Sequence, residues 1–329
     1  MRVLFNTYPV AFGCPGGGEI QLLKCKEALE LLGVDVVLFD PWRPQFDSVD
    51  LVHYFSVQGG SMNFCHYVKQ IGLPLAISPV LWLTRENRRQ FPLGEIRELL
   101  HRSDRVLPNS AAEQHQLVEE FDLDAEKISI IPNGIDVEFA APADPDAFRR
   151  HFDIPGPFLL NVANVEPRKN QRLLAQVARK LELDLVLVGR TRDAEYLPSV
   201  LAAGGNRVRH VGSLDHADPL LKSAYRGCEV FVLPSLLETP GLAALEAAAQ
   251  SAKVVITSVG STREYFRELA TYVEPTSEQS LRQGIETQWS AEANEDLRTH
   301  VLANFTWDQA GRALVDAYER MLLAAGSVR

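Results

Sequence analysis

Apolar and polar residues follow one another along the chain in two alternating patterns. Short apolar runs typical of buried strands, such as Val3 to Tyr8 and Val34 to Phe39, flank a stretch from Glu19 to Leu32 with apolar residues at helical spacing. Gly33 comes directly after that stretch, where a helix is expected to end. Strands that alternate with helices in this way predict βαβ units around a parallel sheet.

The same alternation continues and predicts two series of strands. In the first series the further candidates are Leu51 to Phe55, Leu75 to Pro79, Arg105 to Pro108 and Ile128 to Ile131. In the second series they are Phe158 to Ala163, Leu185 to Val188, Val208 to Val211, Val230 to Leu233 and Val254 to Thr257. A Pro- and Gly-rich segment between Asp136 and Pro157 separates the series, as is typical of a connection between domains. We therefore predict two doubly wound α/β domains.

A last amphipathic stretch runs from Trp307 to Leu323, with Ala310, Leu314 and Ala317 recurring at helical spacing. No strand follows it. We therefore expect a terminal helix that docks on a domain already formed.

Composition and charge narrow the classes of function. The 329 residues are 46% hydrophobic and 23% charged, which is typical of a globular protein. With 43 acidic and 33 basic residues the formal charge is -10, and this balance argues against nucleic acid as the main partner. The N-terminus lacks the apolar core of a signal peptide, and no apolar stretch reaches the roughly 18 residues of a membrane span. These features predict a cytoplasmic protein.

The four cysteines, Cys14, Cys25, Cys65 and Cys228, have neither the CxxC spacing nor the His-rich neighbours of a zinc or redox site. We expect them to be free thiols of a reducing compartment.

The most informative segment runs from Pro234 to Ala249 and follows the strand Val230 to Leu233. Ligands bind at the carboxyl ends of strands in open α/β sheets. The backbone N–H groups of Gly241 and Leu242 open the next helix and suit a phosphate. Glu238 in the loop and Glu246 in the helix provide carboxylates that accept hydrogen bonds from vicinal hydroxyls, which indicates a ribose or another sugar.

These two glutamates, separated by seven residues, resemble the E-x7-E motif of retaining nucleotide-sugar glycosyltransferases of family 4. Further segments resemble motifs of that family in the same order, and the resemblance covers nearly the whole chain. They are Gly16 to Glu19, Asp50 to His53, Ile131 to Asp136, Asn161 to Asn170 and Phe305 to Trp307.

The resemblance implies the GT-B fold, in which two Rossmann-like doubly wound domains face each other across a cleft. Residues 1–145 would form the acceptor-side domain and residues 151–307 the domain that binds the nucleotide sugar. The terminal helix, residues 308–329, would cross back to the first domain. The expected activity is retaining transfer of a hexose or related sugar, in polysaccharide biosynthesis, from a nucleotide-diphosphate sugar to a saccharide or lipid-linked glycan.

The resemblance also assigns roles to residues. Lys169, with Arg168 beside it, would contact the donor diphosphate, while Glu238 would contact hydroxyls of the transferred sugar. These three residues are the predicted catalytic ones. The predicted donor-binding positions are Gly17, Gly18, Asn164, Lys169, Gly189, Arg190, Gly212, Leu214, Pro240, Gly241, Leu242 and Glu246.

Neither a metal ion nor a separate cofactor is expected, because the nucleotide sugar is a co-substrate. Two Asp-x-Asp sequences, Asp122 to Asp124 and Asp144 to Asp146, match the letters of a metal-binding motif. We interpret both as solvated turns.

Two departures from the family pattern leave alternatives open. Asn164 stands where members usually have a phosphate-binding arginine, and Arg168 or Arg190 would have to replace it. The segment around Val80 has no counterpart of a histidine that many members carry. A sugar-nucleotide hydrolase or epimerase therefore stays open, as does a catalytically weak sugar-nucleotide binding or scaffold subunit.

Two further features concern the first domain. His53 is interpreted as a strand histidine whose hydrogen bonds are satisfied, in preference to an acid or base. An arginine-rich stretch interrupted by acidic residues is interpreted as a solvated surface. It also suggests an anionic or lipid-linked acceptor and peripheral association with the inner face of a membrane. Its members are Arg85, Arg88, Arg89, Arg97, Arg102 and Arg105.

Overall fold

A computed structural model describes residues 1–13, 15–57, 60–85, 87–292, 295–324 and 326. The chain divides into a first unit, Met1–Gly134 with Trp307–Arg329, and a second unit, Ile135–Thr306. Cys14 and the last residues of the predicted terminal helix, 325 and 327–329, lie outside the described residues. The described Cys25, Cys65 and Cys228 are free thiols.

A parallel sheet with the strand order β2-β1-β3-β4-β5 organises the first unit. Its strands are β1 (Arg2–Thr7), β2 (Asp35–Leu38), β3 (Leu51–Phe55), β4 (Leu75–Ser78) and β5 (Arg105–Val106). Its helices are α1 (Gly17–Leu31), α2 (Ser61–Gln70), α3 (Leu93–Arg102), α4 (Ala111–Phe121) and the last helix of the chain, α13 (Trp307–Ala324). Helices cover both faces, and the apolar residues of β1, β3 and β4 are therefore buried.

The terminal helix α13 packs against α1 because a glycine allows close approach. A Cβ at Gly311 would lie 2.9 Å from the Cβ of Ala28, a separation that real Cβ atoms do not tolerate. Leu314 and Ala317 are buried on the same side of α13. The predicted helix thus docks on the first unit.

A second parallel sheet, ordered β11-β10-β9-β6-β7-β8, organises the second unit. Its strands are β6 (Phe158–Val162), β7 (Asp184–Val188), β8 (Val208–His210), β9 (Val230–Leu233), β10 (Val254–Thr257) and β11 (Thr271–Val273). Its helices are α5 (Ala147–His151), α6 (Gln171–Lys180), α7 (Tyr196–Gly204), α8 (Pro219–Gly227), α9 (Leu242–Ala249), α10 (Thr262–Phe266), α11 (Glu278–Ser290) and α12 (Asp296–Asn304). The two predicted doubly wound α/β folds are confirmed.

The structure corrects the predicted domain boundary. The resemblance places residues 135–145 in the first domain, but they belong to the second unit. Ile135 and Phe139 are buried in the same core cluster as Phe148 and Phe158, and the Ile135 N–H donates to the Phe305 carbonyl at 3.0 Å. The Pro-rich segment is therefore anchored by its apolar residues rather than acting as a linker.

Two smaller elements also differ from the sequence prediction. The segment from Ile128 to Ile131 forms no continuous strand: Ile128 makes an isolated bridge to Val106, and the N–H groups of Ser129 and Ile131 donate to the Val106 and Pro108 carbonyls. Helix α1 begins at Gly17, two residues earlier than expected, so that Gly17 and Gly18 lie in its first turn.

Each sheet has one point where strand order reverses. In the first unit that point lies between β1 and β3, and in the second between β6 and β9. Connections leave the two strands in opposite directions there, which opens a crevice at their carboxyl ends where ligands bind in such sheets.

A buried polar cluster joins β3, β4 and α13. The ring nitrogens of His53 lie 2.6 Å from the Tyr318 hydroxyl and 2.9 Å from the Ser78 hydroxyl. Burial lowers the pKa of His53 to about 3, so the imidazole is neutral at physiological pH. His53 is thus a strand histidine with both nitrogens engaged, as the sequence analysis expects.

Within the described residues, no helix combines the length and the apolar character that a membrane crossing requires.

Candidate functional site

Two predicted site residues meet at the reversal point of the second sheet. Lys169 ends a short 3₁₀ turn, Pro167–Lys169, that follows β6, and Glu238 lies in the loop after β9. The Lys169 Nζ atom lies 2.5 Å from Oε1 of Glu238, and their side chains are only 14% and 7% exposed. The fold therefore brings together a buried ion pair from segments 69 positions apart in the sequence.

The charges around this pair keep Glu238 ionised. Burial acts to raise the pKa of the Glu238 carboxyl, but the Lys169 and Arg168 charges hold it below its ordinary value. Burial lowers the pKa of Lys169, and the Glu238 charge opposes that effect. The Arg168 guanidinium also donates to Glu166, at 3.1 Å, and so does Arg192, at 3.3 Å. Three cations thus face two carboxylates at this end of the sheet.

The structure distinguishes the two arginines considered as replacements at the Asn164 position. Arg168 acts electrostatically on both Lys169 and Glu238, and its backbone carbonyl accepts from the Leu236 N–H at 2.9 Å. Arg190 lies in the loop after β7 with an exposed side chain. Asn164 is half-buried beside β6, and its carbonyl accepts from the Gln171 side chain at 2.9 Å. Arg168 is therefore the arginine next to the ion pair.

Glycines shape the loop that holds Glu238. Gly241, with φ of 93°, precedes α9, and a Cβ there would lie 3.0 Å from Cδ2 of Leu233. A Cβ at Gly260 would lie 2.0 Å from the Glu238 carbonyl oxygen. The backbone of Glu238 is fixed on both sides, since its N–H donates to Val259 and its carbonyl accepts from Ser261. Pro240 and Gly241 are buried and Leu242 is the first residue of α9, where backbone amides have no intrahelical acceptor.

Glu246 lies on α9, one turn beyond those amides, and is nearly buried. The Tyr225 hydroxyl donates to its Oε2 atom at 2.7 Å. His216 Nδ1 lies 3.5 Å from its Oε1 atom, and His216 Nε2 lies 2.9 Å from Oδ2 of Asp136. Glu246 is thus held by two side chains that the sequence analysis did not select.

The loops after β6, β7 and β8 are joined through backbone groups. The Gly189 N–H donates to the Gly212 carbonyl at 2.8 Å, and His210 Nε2 lies 2.8 Å from the Gly189 carbonyl. A Cβ at Gly189, whose φ is 152°, would lie 1.9 Å from the Ala163 carbonyl oxygen. Leu214 packs against the core from the same loop as Gly212. Gly189 therefore allows the β6 and β7 loops to touch.

The Gly189→Ala variant is expected to be destabilised by about 3 kcal/mol, because the new Cβ collides with backbone. Gly212→Ala is the matched control: its φ of 83° is also positive, but open space surrounds the added Cβ, so a smaller loss of about 1 kcal/mol is expected. Urea unfolding of both variants measures the difference. Equal midpoints for Gly189→Ala and the wild type would contradict the close approach.

The glycine-rich segment of the first unit lies at the other reversal point, after β1. Gly17 faces open space, and a Cβ at Gly18 would lie 3.5 Å from Cγ1 of Val80. Glu19 fixes this turn, because its carboxylate accepts from the Gly16 N–H at 2.7 Å and from the Tyr8 hydroxyl at 2.9 Å. Val80, with a positive φ of 51°, thus lies beside the glycine turn.

The remaining candidates of the sequence analysis occupy ordinary surface positions. Most of the arginine-rich stretch is engaged locally: Arg88 pairs with Glu120 and Arg102 with Glu98, while Arg97 and Arg105 donate to backbone carbonyls. The Asp-x-Asp sequences cap or close turns. Asp122 ends α4, Asp124 caps the 3₁₀ turn after it, and Asp144 accepts from Arg150. Among the described residues, no group of three or more His, Cys, Asp or Glu side chains is arranged to hold a metal ion.

Sequence reasoning missed four residues that shape these sites: Tyr8, Tyr225, His216 and Asn170. The Asn170 amide donates to the carbonyls of Pro234 and Pro275, at 3.0 and 2.8 Å, and so ties the loop after β6 to the loops after β9 and β11. Asn170 lies in a segment that resembles a family motif, whereas no local pattern marks Tyr8, Tyr225 or His216. Glu19 had a signal, because a glutamate three residues after a helix cap is the partner of a capping box.

Two family models match the chain. "Glycosyl transferases group 1" matches residues 145–301, and "Glycosyltransferase Family 4" matches residues 78–139. A D-inositol 3-phosphate glycosyltransferase of Geodermatophilus obscurus is 30% identical over 202 residues, 56% of this chain and 44% of that protein. The serotype-specific mannosyltransferase WbdA of Escherichia coli is 24% identical over 258 residues, 73% and 32% of the two chains. The chain thus spans less than half the length of these relatives.

Solved structures resemble the whole chain. Sucrose-phosphate synthase from Thermosynechococcus elongatus has a TM-score of 0.81 at 19% identity, covering 98% of this chain and 99% of that one. Anabaena HepE in complex with UDP has a TM-score of 0.80 at 19% identity, covering 97% and 100%. These likenesses establish the fold.

Proposed function

Because the chain belongs to the GT-B glycosyltransferases, with the group 1 domain in its second unit, we propose that it transfers a sugar from a nucleotide-diphosphate sugar with retention of configuration. The observation that carries this proposal is the buried Lys169–Glu238 pair at the reversal point of the second sheet. The UDP complex of HepE makes a nucleotide sugar the natural donor to test.

Each part of the second unit has a role in this proposal. Lys169 and Arg168, together with the first amides of α9 at Gly241 and Leu242, stabilise the negative charge that develops on the leaving diphosphate. Glu238 accepts hydrogen bonds from hydroxyls of the transferred sugar, since its pKa lies below the ordinary value and the carboxylate stays ionised. Glu246 accepts from the ribose hydroxyls. Backbone groups of the joined loops at Gly189 and Gly212 contact the base.

The transfer step itself needs no side-chain nucleophile. The bond between the anomeric carbon and the phosphate oxygen breaks, and the acceptor oxygen bonds to the same face of the sugar. The acceptor hydroxyl's proton passes to the leaving phosphate. The acceptor in this proposal is a saccharide or lipid-linked glycan bound by the first unit.

We expect transfer to continue in the presence of a chelator. Lys169, Arg168 and the α9 amides supply the positive charge that a divalent cation supplies in metal-dependent enzymes. Release of nucleoside diphosphate from UDP-glucose, with and without EDTA, measures this. Activity abolished by EDTA and restored by Mg²⁺ or Mn²⁺ would contradict it.

Two measurements test the proposal as a whole. A thermal-shift screen of nucleoside diphosphates and their hexose conjugates should raise the melting temperature for one base, since a ligand of the folded state stabilises it. NMR of the product should then show the anomeric configuration of the donor sugar. Inversion of configuration would refute the retaining mechanism.

A second candidate is a sugar-nucleotide binding subunit with little catalysis. It is favoured by the segment around Val80, beside the glycine turn, which has no counterpart of a histidine that many family members carry. If this candidate is right, calorimetry should show nucleotide binding while no nucleotide-sugar donor is consumed. Turnover with an acceptor would exclude it, while turnover without one would indicate a hydrolase.

A further inference from the structure

The imidazole of His216 lies between two carboxylates of the second unit. Its Nε2 atom is 2.9 Å from Asp136 Oδ2, and its Nδ1 atom is 3.5 Å from Glu246 Oε1. The ring packs on Phe139, with 4.8 Å between centroids. The side chain is therefore fixed by packing on one face and by charge at both nitrogens.

Both ring nitrogens of His216 face carboxylate oxygens. A neutral imidazole has a single N–H, so one of its nitrogens would present a lone pair to a carboxylate. A protonated ring has an N–H group at each nitrogen, one within hydrogen-bond distance of Asp136 and the other 3.5 Å from Glu246. The other charged and titratable groups nearby are Asp215 and Asp218 on the same loop, the Tyr225 hydroxyl on Glu246, and Lys222, whose Nζ lies 5.9 Å from the Phe139 centroid.

Glu246 is thereby held at both oxygens. Tyr225 donates to Oε2 at 2.7 Å, and burial together with the Glu246 charge raises the Tyr225 pKa well above its ordinary value, so the hydroxyl remains a donor. His216 faces Oε1. A carboxylate offers about four acceptor sites, so these two contacts set its orientation while it still accepts a further hydroxyl.

We propose that His216 is a positioning residue that orients Glu246 toward the ribose of the donor nucleotide. This inference rests on the proposed function, in which Glu246 accepts from the ribose hydroxyls. A carboxylate fixed in one orientation discriminates between a ribose and a 2′-deoxyribose, because only the ribose supplies both vicinal donors. His216 therefore contributes to selection of ribonucleotides.

Calorimetry with UDP, GDP and ADP and their 2′-deoxy counterparts tests this inference. For the base that the wild type binds, His216→Ala should weaken binding of the ribonucleotide about fivefold to tenfold and that of the deoxynucleotide less than twofold. In a Glu246→Gln background the His216→Ala change should have no further effect.

His300→Ala is the matched control. His300 is also a half-buried histidine of the second unit, but its Nε2 atom contacts the Tyr265 carbonyl at 3.0 Å. The His300→Ala variant should leave the affinities for the ribonucleotide and the deoxynucleotide unchanged. Equal weakening of ribonucleotide and deoxynucleotide by His216→Ala would overturn the inference while the proposed function stands. A wild type that binds none of the six nucleotides would overturn both.

Discussion

The Lys169→Met variant is expected to slow sugar transfer at least tenfold, a loss of about 1.4 kcal/mol of transition-state stabilisation. The reason is electrostatic. Lys169 is the buried cation at the reversal point of the second sheet, and its ammonium lies 2.5 Å from Glu238. Methionine keeps most of the volume of the side chain and removes the charge. Glu238→Ala is expected to lower turnover by at least the same factor.

The same variant carries a stability cost that has to be separated from catalysis. Removing one member of a buried ion pair leaves the other charge desolvated, which costs about 3 kcal/mol. The double variant Lys169→Met with Glu238→Gln removes both charges and should recover much of that stability without recovering turnover. Urea unfolding and initial-rate kinetics on the single and double variants distinguish the two effects.

Lys180→Met provides the matched control. Lys180 also pairs with a glutamate, Glu278, at 2.6 Å, but both side chains are exposed, at 57% and 42%. An exposed pair of this kind contributes little to stability. Its loss should change neither the rate nor the unfolding midpoint measurably. Wild-type kinetics in both Lys169→Met and Glu238→Ala would refute the assignment of the site.

The sequence predicts the strands and helices that flank the ion pair because their signals are local, whereas the pair itself was not predicted. Glu238 and Gly241 follow a strand and precede a helix within a few residues, so the order strand, loop, helix places them at the carboxyl end of β9. Lys169 follows β6 in the same way. Because β6 and β9 are neighbours in the sheet, the loops that follow them lie close together. The alternation of strands and helices along the sequence is enough to predict a doubly wound sheet.

Other features depend on contacts that no local pattern encodes. His216 reaches Asp136 across 80 positions of sequence, and Tyr225 reaches Glu246 across 21. The predicted domain boundary was wrong for a related reason. The Pro-rich composition of residues 136–157 suggests a linker, but Phe139 and Phe148 bury themselves in the core of the second unit. Burial of particular side chains outweighed the average composition of the segment.

The sequence also did not predict how far the edge strand of the first sheet extends. The run from Arg105 to Pro108 reads as a four-residue strand, but β5 comprises only Arg105 and Val106, each paired with a residue of β4. The next candidate, from Ile128 to Ile131, adds no strand to that edge. A run of apolar residues indicates that a segment is buried. Whether that segment pairs as an edge strand depends on whether the rest of the fold places another strand next to it.

The first unit is expected to lose stability in mild acid because of His53. In the folded protein, burial lowers the pKa of His53 from its ordinary 6.5 to about 3, so folding favours the neutral imidazole. The free energy of unfolding is therefore highest above pH 6.5 and falls as the pH drops toward 3. As the pH falls from 7.5 to 5.0, His53 alone should lower the free energy of unfolding by about 2 kcal/mol.

Comparison with His53→Gln isolates that contribution from the carboxylates that also titrate. Glutamine retains hydrogen-bonding groups for Tyr318 and Ser78 but cannot be protonated, so its free energy of unfolding should fall less over the same pH interval. His115→Asn is the control, because His115 is 75% exposed and pairs with Glu119 at the surface. Parallel pH profiles for the wild type and His53→Gln would show that the buried histidine does not limit acid stability. Divergent profiles below pH 6.5, with His115→Asn following the wild type, would identify the contact between β3 and α13 as the acid-sensitive element of the first unit.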